Sequence, residues 1–276
     1  EETKKITGAM KMVAAARLRR AEEKVKEARP YSGEIATLLS AVGAVYLRTS
    51  ASPTTGDLFP LMSERNVKTR ALVVFSSDRG LAGAFNSNLF RFAEKEIAAQ
   101  KTTVIPLGRK AQIFFGKRNV EIFKKPEHFW NEFTYQKARA LAEELAKGFL
   151  EEHFDRVDLL FNEFVSLMTQ RPKVVTLLPF STDDKEERKP ETDYIFEPGR
   201  EEILRRLIPQ ALRVRFFLAC LESLASEYAA RVIAMESATR NAKDMIDTLT
   251  LKLNRARQAQ ITRELAEIVT GAEAMK

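Results

Sequence analysis

Both ends of the chain carry long runs of apolar or small side chains that recur every three or four residues. The C-terminal run comprises Leu204, Leu207, Ala211, Val214, Leu218, Leu221, Ala225, Tyr228, Val232 and Met235, and resumes at Ala242, Ile246, Leu249, Leu253 and Ala256. The N-terminal run comprises Ala14, Leu18, Ala21, Val25, Ala28, Ile35, Leu39, Val42 and Tyr46, with only Ser32 off-type between Ala28 and Ile35. A period of 3.5 residues keeps one seam of a helix facing a partner helix over many turns. The sequence therefore predicts a long antiparallel coiled coil of N- and C-terminal helices.

The two predicted helices have unequal lengths, which limits how they can pair. The first covers residues 1–50 and the second residues 199–276, and about 70 helical residues would form a rod of roughly 100 Å. The longer helix must project beyond its partner or pair there with another chain. Pro30 could kink or locally break the first helix, and Pro209 suggests that the straight part of the second begins near that residue. Such a rod is more typical of a mechanical part than of an active-site wall.

Between the terminal helices, short apolar runs alternate with helical stretches. Residues 51–69 form a connector without any period, and a continuous apolar run such as Ala71 to Phe75 is typical of a strand buried on both faces. The predicted strands cover residues 71–75, 103–107, 119–123, 157–164, 173–178 and 194–196. Thr134 can cap a helix that runs to about Glu152, and residues 181–191 form a charged loop. This alternation predicts a parallel-rich, Rossmann-like α/β domain over residues 70–198.

Composition excludes several kinds of site. The 276 residues include one cysteine, Cys220, and two histidines, so we expect neither an internal disulfide nor a His-rich metal site. No apolar run is long enough to cross a bilayer. No carboxylate pair stands out, and neither G-x-S-x-G nor H-E-x-x-H occurs. We therefore expect no catalytic residue, no cofactor and no metal ion in this chain.

The net charge of +7 and one glycine-containing loop leave two other functions open. A basic coiled coil could bind an acidic protein or nucleic acid, although the cations of residues 1–29 spread over several faces between glutamates. The loop with Gly80 and Gly83 follows the first strand and opens a helix, where phosphate-binding loops lie. It does not match G-x-x-x-x-G-K-[ST], so it could equally be a tight turn in which Asp78 and Arg79 are surface groups or partner contacts.

Polar and basic residues interrupt the C-terminal register over residues 254–263. This interruption could mark fraying of the helix towards its end. However, residues 264–269 resume a good helical pattern beyond it. A polar collar on a projecting helix is therefore better interpreted as a contact surface for partners.

Three blocks of sequence resemble signatures of the gamma subunit of F-type ATP synthases, in its bacterial form. The first is Lys4-Lys5-Ile6-Thr7-Gly8-Ala9-Met10-Lys11-Met12-Val13-Ala14-Ala15-Ala16, and the second is Ser76-Ser77-Asp78-Arg79-Gly80-Leu81-Ala82-Gly83-Ala84-Phe85-Asn86. The third joins Glu222–Arg231 with Asn254–Val269. The blocks follow the family's order and span nearly the whole chain.

The resemblance implies a rotor shaft that carries out no bond chemistry. In the family, the terminal helices turn inside a hexamer of three alpha and three beta subunits, and the α/β domain contacts the epsilon subunit and the membrane ring of c subunits. Ion flow turns the ring, and the asymmetric shaft drives the catalytic beta sites through different states. The paired regulatory cysteines of the chloroplast form are missing, which favours the cytoplasmic face of a bacterial plasma membrane, with the membrane contacted only indirectly and no nucleic acid bound.

The resemblance also implies roles for individual residues. Arg257 and Gln258 match a polar pair that hydrogen-bonds a loop of one beta subunit, and Thr262 lies about one turn further. Met10 matches the position beside an acidic lever of beta. The implied cations near that lever are Lys4, Lys5 and Lys11. The implied apical bearing comprises Ile261, Leu265, Ile268 and Val269, and the implied foot motif comprises Asp78, Arg79, Gly80 and Gly83.

Overall fold

The computed structural model describes residues 1–49, 59–181, 197 and 199–274. Its elements in chain order are α1 (Glu2–Thr49), a 3-10 turn (Pro60–Met62), β1 (Arg70–Phe75), α2 (Phe85–Ala99), β2 (Thr102–Leu107), α3 (Arg109–Gly116), α4 (Tyr135–Leu150), β3 (Arg156–Phe164), β4 (Gln170–Leu178) and α5 (Arg200–Glu273). The predicted charged loop and the predicted strand at residues 194–196 fall almost wholly outside the described residues. The terminal helices and the central α/β unit confirm the predicted fold class.

The helices α1 and α5 pair in antiparallel orientation to form a shaft. Thr239 Oγ1 donates a hydrogen bond to Thr7 Oγ1 at 2.8 Å, and Arg29 Nη2 lies 3.2 Å from Glu222 Oε1, so the numbering of the two helices runs in opposite directions. The buried seam between them contains Ala14, Leu18, Ala21, Val25, Leu221, Ala225, Ala229 and Val232. These side chains belong to the predicted heptad runs or lie one turn from them, which is why the sequence could indicate the pairing.

The two prolines do not set the limits of the helices. Helix α1 continues through Pro30, so the local break considered from the sequence does not occur. Helix α5 begins at Arg200, close to the predicted bound at residue 199, and continues through Pro209. Leu204 and Ile208 lie on these early turns and are each only 2% exposed. Their packing against the core stabilises turns that a proline would otherwise weaken.

The sheet has the strand order β2-β1-β3-β4. Strand β1 pairs in parallel with both β2 and β3, whereas β4 returns antiparallel to β3. The predicted strand at 119–123 forms only an isolated bridge between Val104 and Ile122. Thr134 caps α4 as predicted, since its side chain accepts a hydrogen bond from the Lys137 backbone N–H.

The sheet buries both faces, which explains the continuous apolar runs of β1 and β2. One face packs against α4 and the shaft, with Phe75 and Phe216 in contact at a ring separation of 5.6 Å. The other face packs against α2 and α3, through Leu89 and Phe115. The α/β domain is therefore attached sideways to the shaft, and α2 and α3 form its outermost layer.

Candidate functional site

The end of α5 is a single helix that projects beyond its partner. The described side chains from Asn241 to Ala274 are all exposed, apart from the half-buried Ala242 and Ile246. The last cross-helix hydrogen bond joins Thr239 to Thr7, and α1 begins five residues before Thr7, so about 30 residues, or roughly 45 Å of helix, extend past the start of α1. A helix of this length without a partner on its own chain offers its whole circumference to other molecules.

The predicted polar contact residues lie in the middle of this projection. Arg257 and Gln258 are exposed, and the Arg257 guanidinium makes no ion pair with any described residue. Thr262 Oγ1 donates to the Gln258 carbonyl at 2.9 Å, so Thr262 lies one turn beyond Gln258 on the same face. The guanidinium and amide groups can therefore hydrogen-bond a partner's carbonyl or carboxylate oxygens.

The predicted bearing residues form an apolar stripe nearer the tip. Ile261, Leu265 and Ile268 are spaced by four and three residues, so they share one face, and Val269 lies beside them. Their exposed fractions are 49%, 58%, 67% and 58%. An apolar stripe that is exposed in the isolated chain indicates a surface that other molecules cover.

The predicted contact residues of α1 lie at a different level of the shaft. Lys11 Nζ is 3.2 Å from Glu236 Oε1, Met10 is half-buried, and Lys4 and Lys5 are exposed. Glu236 and Arg257 are 21 residues apart on α5, which corresponds to about 30 Å along the helix. The structure therefore does not bring the predicted contacts into one site, but places them at two levels of the shaft.

The loop after β1 meets the start of α3. The backbone N–H of Arg109 donates to Asp78 Oδ1 at 2.9 Å, and that of Lys110 donates to the Ser77 carbonyl at 3.1 Å. The N–H of Ala111 donates to Ser76 Oγ at 2.8 Å. These are the donors that a helix N-terminus would offer to a phosphate, and the chain's own oxygens occupy them.

The same loop fastens the α/β domain to the shaft. Arg231 of α5 donates from Nη2 to the carbonyls of Arg79 and Gly80, at 3.4 and 3.3 Å. Gly83 has φ +56°, and a Cβ on it would be 3.8 Å from the Ala234 Cβ. Together with Asp78, all four residues of the predicted foot motif therefore lie in one loop that docks on α5.

Two buried carboxylates of α5 were not indicated as site residues by the sequence. Glu227 Oε1 is 2.6 Å from Arg231 Nη1, and burial raises the pKa of the Glu227 carboxyl while Arg231 partly opposes that rise. Burial likewise raises the pKa of Glu222, with Arg29 acting in the opposite direction. The only available signal was the spacing of four between Glu227 and Arg231, which is typical of many exposed ion pairs.

The described residues contain neither a candidate metal site nor a membrane-spanning helix. In that part of the chain, no group of three His, Cys, Asp or Glu side chains is arranged to hold a metal ion. Within the same ranges, every helix is too short or too polar to cross a membrane.

Comparisons with known proteins agree on one family. The family model described as ATP synthase matches residues 1–275. The ATP synthase gamma chain of Desulforamulus reducens is 42% identical over 277 residues, covering 100% of this chain and 95% of the relative. That of Moorella thermoacetica is 43% identical over 278 residues, with the same coverage of both chains.

Two solved structures share the fold. A chain in the central stalk and c-ring of the Tetrahymena thermophila mitochondrial ATP synthase matches with a TM-score of 0.60 and 22% identity, covering 85% of this chain and 99% of that one. A chain of the Euglena gracilis mitochondrial ATP synthase matches with a TM-score of 0.56 and 21% identity, covering 95% of each. At this level of identity the structural likeness concerns the fold, whereas the sequence matches establish the relationship. The chain therefore belongs to the ATP synthase gamma-chain family.

Proposed function

We propose that the chain is the central rotor shaft of an F-type ATP synthase, turning inside a hexamer of three alpha and three beta subunits. The observation that carries the proposal is the projection of α5 for roughly 45 Å beyond its partner helix. In this function, ion flow turns a ring of c subunits, and the shaft carries that rotation to the catalytic beta sites. The shaft itself carries out no bond chemistry and needs no cofactor.

The contacts with the hexamer follow from the two levels of the shaft. At the upper level, which is the projecting part of α5, Arg257 and Gln258 hydrogen-bond a loop of one beta subunit, and Thr262 assists them. At the lower level, Met10 and the exposed cations around it face an acidic lever of beta. Ion pairs there weaken as salt rises, because both partners are solvated. Near the tip, the apolar stripe of Ile261, Leu265, Ile268 and Val269 turns within an apolar sleeve, where few directional bonds resist rotation.

The remaining partners lie at the opposite end of the shaft. The α/β domain contacts the epsilon subunit and the c-ring, and the chain reaches the cytoplasmic face of a bacterial plasma membrane through that ring. The loop from Asp78 to Gly83 supports this arrangement because it holds the domain against α5. A nucleotide site in this loop has less support, since the loop does not match G-x-x-x-x-G-K-[ST] and its Arg79 and Gly80 carbonyls accept hydrogen bonds from Arg231 of the shaft. Nucleic acid is not among the proposed partners.

Assembly with purified alpha and beta subunits tests the proposal. We expect one copy of this chain to join each hexamer and to increase its ATPase activity. A truncated chain that ends at Asp247 serves as the matched control, because it keeps the paired shaft, with the half-buried Ala242 and Ile246, and the α/β domain but lacks the projection. If the full chain fails to enter the hexamer, or if the truncated chain activates it equally well, the proposed function is wrong.

A further inference from the structure

One segment of the α/β domain is strongly basic. Residues 101–125 contain seven Lys or Arg and one Glu, so the segment carries a net +6 while the whole chain carries +7. The segment includes α3, which lies with α2 on the sheet face opposite the shaft. This basic segment therefore lies largely in a layer that the paired helices do not cover.

Part of this charge forms a stripe on α3. Arg109, Lys110 and Lys117 are exposed and are separated from Ile113 by three or four residues, so the four side chains share one side of the helix. Ile113 is 46% exposed although it is a large apolar residue. The stripe thus combines three cations with an apolar side chain at its centre.

A fourth exposed cation, Lys125, lies in the following loop near α3. Gln112 Nε2 donates to the Pro126 carbonyl at 2.8 Å, which holds the neighbouring Lys125 beside α3. We call Arg109, Lys110, Ile113, Lys117 and Lys125 the α3 patch. None of its four cations forms an ion pair with another described residue, whereas the nearby Arg118 and Lys124 are paired with Glu94 and Glu144.

We propose that the α3 patch binds an anionic phospholipid surface. Three of its four cations are lysines, which are depleted from protein–protein interfaces but characteristic of segments attracted to anionic headgroups. Ile113 can enter the boundary between headgroups and acyl chains, as apolar side chains do in interfacial helices. The contact belongs to the chain on its own; it is separate from the attachment through the c-ring and does not depend on the proposed rotor function.

Sedimentation of the full chain with vesicles tests this binding. We expect binding to vesicles of equal parts phosphatidylglycerol and phosphatidylcholine at about 0.1 M salt, and none to phosphatidylcholine alone. The variant Lys110→Glu/Lys117→Glu/Lys125→Glu should bind at least about 100-fold more weakly, since each cation contributes roughly five-fold. The variant Ile113→Ser should lose a few-fold.

A matched control separates the patch from the overall charge. Lys243→Glu/Lys252→Glu/Arg263→Glu changes the net charge equally on the projecting helix, where all three side chains are exposed. This variant should keep binding within about three-fold, and circular dichroism should report unchanged helix content for both triple variants. Equal losses in the two variants, or no binding by the unmodified chain, would overturn the proposal. Binding of soluble polyglutamate without binding of vesicles would assign the patch to an acidic protein instead and would equally overturn it.

Discussion

Arg231 Nη1 lies 2.6 Å from Glu227 Oε1, while its other terminal nitrogen donates to two carbonyls of the loop after β1. Both side chains are only 11% exposed. One guanidinium therefore neutralises a buried carboxylate on α5 and fastens the α/β domain to the shaft. The contact holds the loop after β1 against α5, where Gly83 lies beside Ala234. The rest of the α/β domain packs sideways on the same helix.

Replacing Arg231 by Met should destabilise the chain strongly. The change leaves the Glu227 carboxylate buried without its cation, and removal of one member of a buried pair costs about 3–5 kcal/mol. Urea unfolding monitored by circular dichroism measures the loss. The double variant Glu227→Gln/Arg231→Met should recover part of it, because no uncompensated charge remains. A double variant no more stable than the single one would contradict the assigned pairing.

The buried Glu222 should make stability depend on pH. Burial raises the pKa of its carboxyl above the ordinary value near 4.5, so the folded chain holds a proton that the unfolded chain has already released. The stability that this carboxyl contributes is therefore lost as the pH rises from its ordinary pKa, which applies in the unfolded chain, through its raised pKa in the folded chain. Between pH 4 and pH 7, the unmodified chain should lose more stability than Glu222→Gln does. Parallel stability curves for the two chains would show that Glu222 does not titrate in this way.

Gly108 and Gly33 should respond in opposite directions to alanine. A Cβ on Gly108 would lie 2.2 Å from the Ser76 carbonyl oxygen, and the residue has φ +88°. Gly108→Ala should therefore cost about 3 kcal/mol or more, since the clash adds to backbone strain. Gly33 lies within α1 and has nothing within 4 Å of its Cβ position, so Gly33→Ala should stabilise by roughly 0.5–1 kcal/mol. Thermal unfolding of both variants measures this contrast. If the melting temperatures of the two variants shift in the same direction by similar amounts, the prediction is wrong.

The shaft could be predicted from sequence because its signal is repeated along the chain. Leu18 and Leu221 are two of many side chains that report the same seam, so no single residue decides the outcome. The effect of Pro209 was harder to predict, since Leu204 and Ile208 stabilise the turns before it through packing against a distant part of the chain. The sequence pattern lacks that information.

The antiparallel direction of β4 and the contact between Arg231 and the loop after β1 differ in how far the sequence could predict them. Strands β3 and β4 are joined by only five residues, too few for a parallel crossover, so their antiparallel pairing was available from the spacing. The contact of Arg231 with the loop could not be predicted from the sequence, because its partners Arg79 and Gly80 are about 150 residues away along the chain. A pair spaced by four residues on a helix does not reveal whether the fold will bury it.

The double variant Arg257→Ala/Gln258→Ala separates a partner contact from a role in folding. Both side chains are exposed on an unpaired helix, and alanine is a good helix former, so the stability of the isolated chain should change by less than about 0.5 kcal/mol. In the assembled hexamer, loss of hydrogen bonds to a guanidinium should lower ATP turnover roughly ten-fold, which corresponds to about 1.4 kcal/mol. Arg263→Ala is the matched control, because Arg263 is equally exposed but lies six residues from Arg257 and five from Gln258, and thus on the opposite side of the helix. Normal turnover in the double variant, or a large loss of thermal stability in the isolated chain, would remove these residues from the proposed route by which rotation reaches the beta subunits.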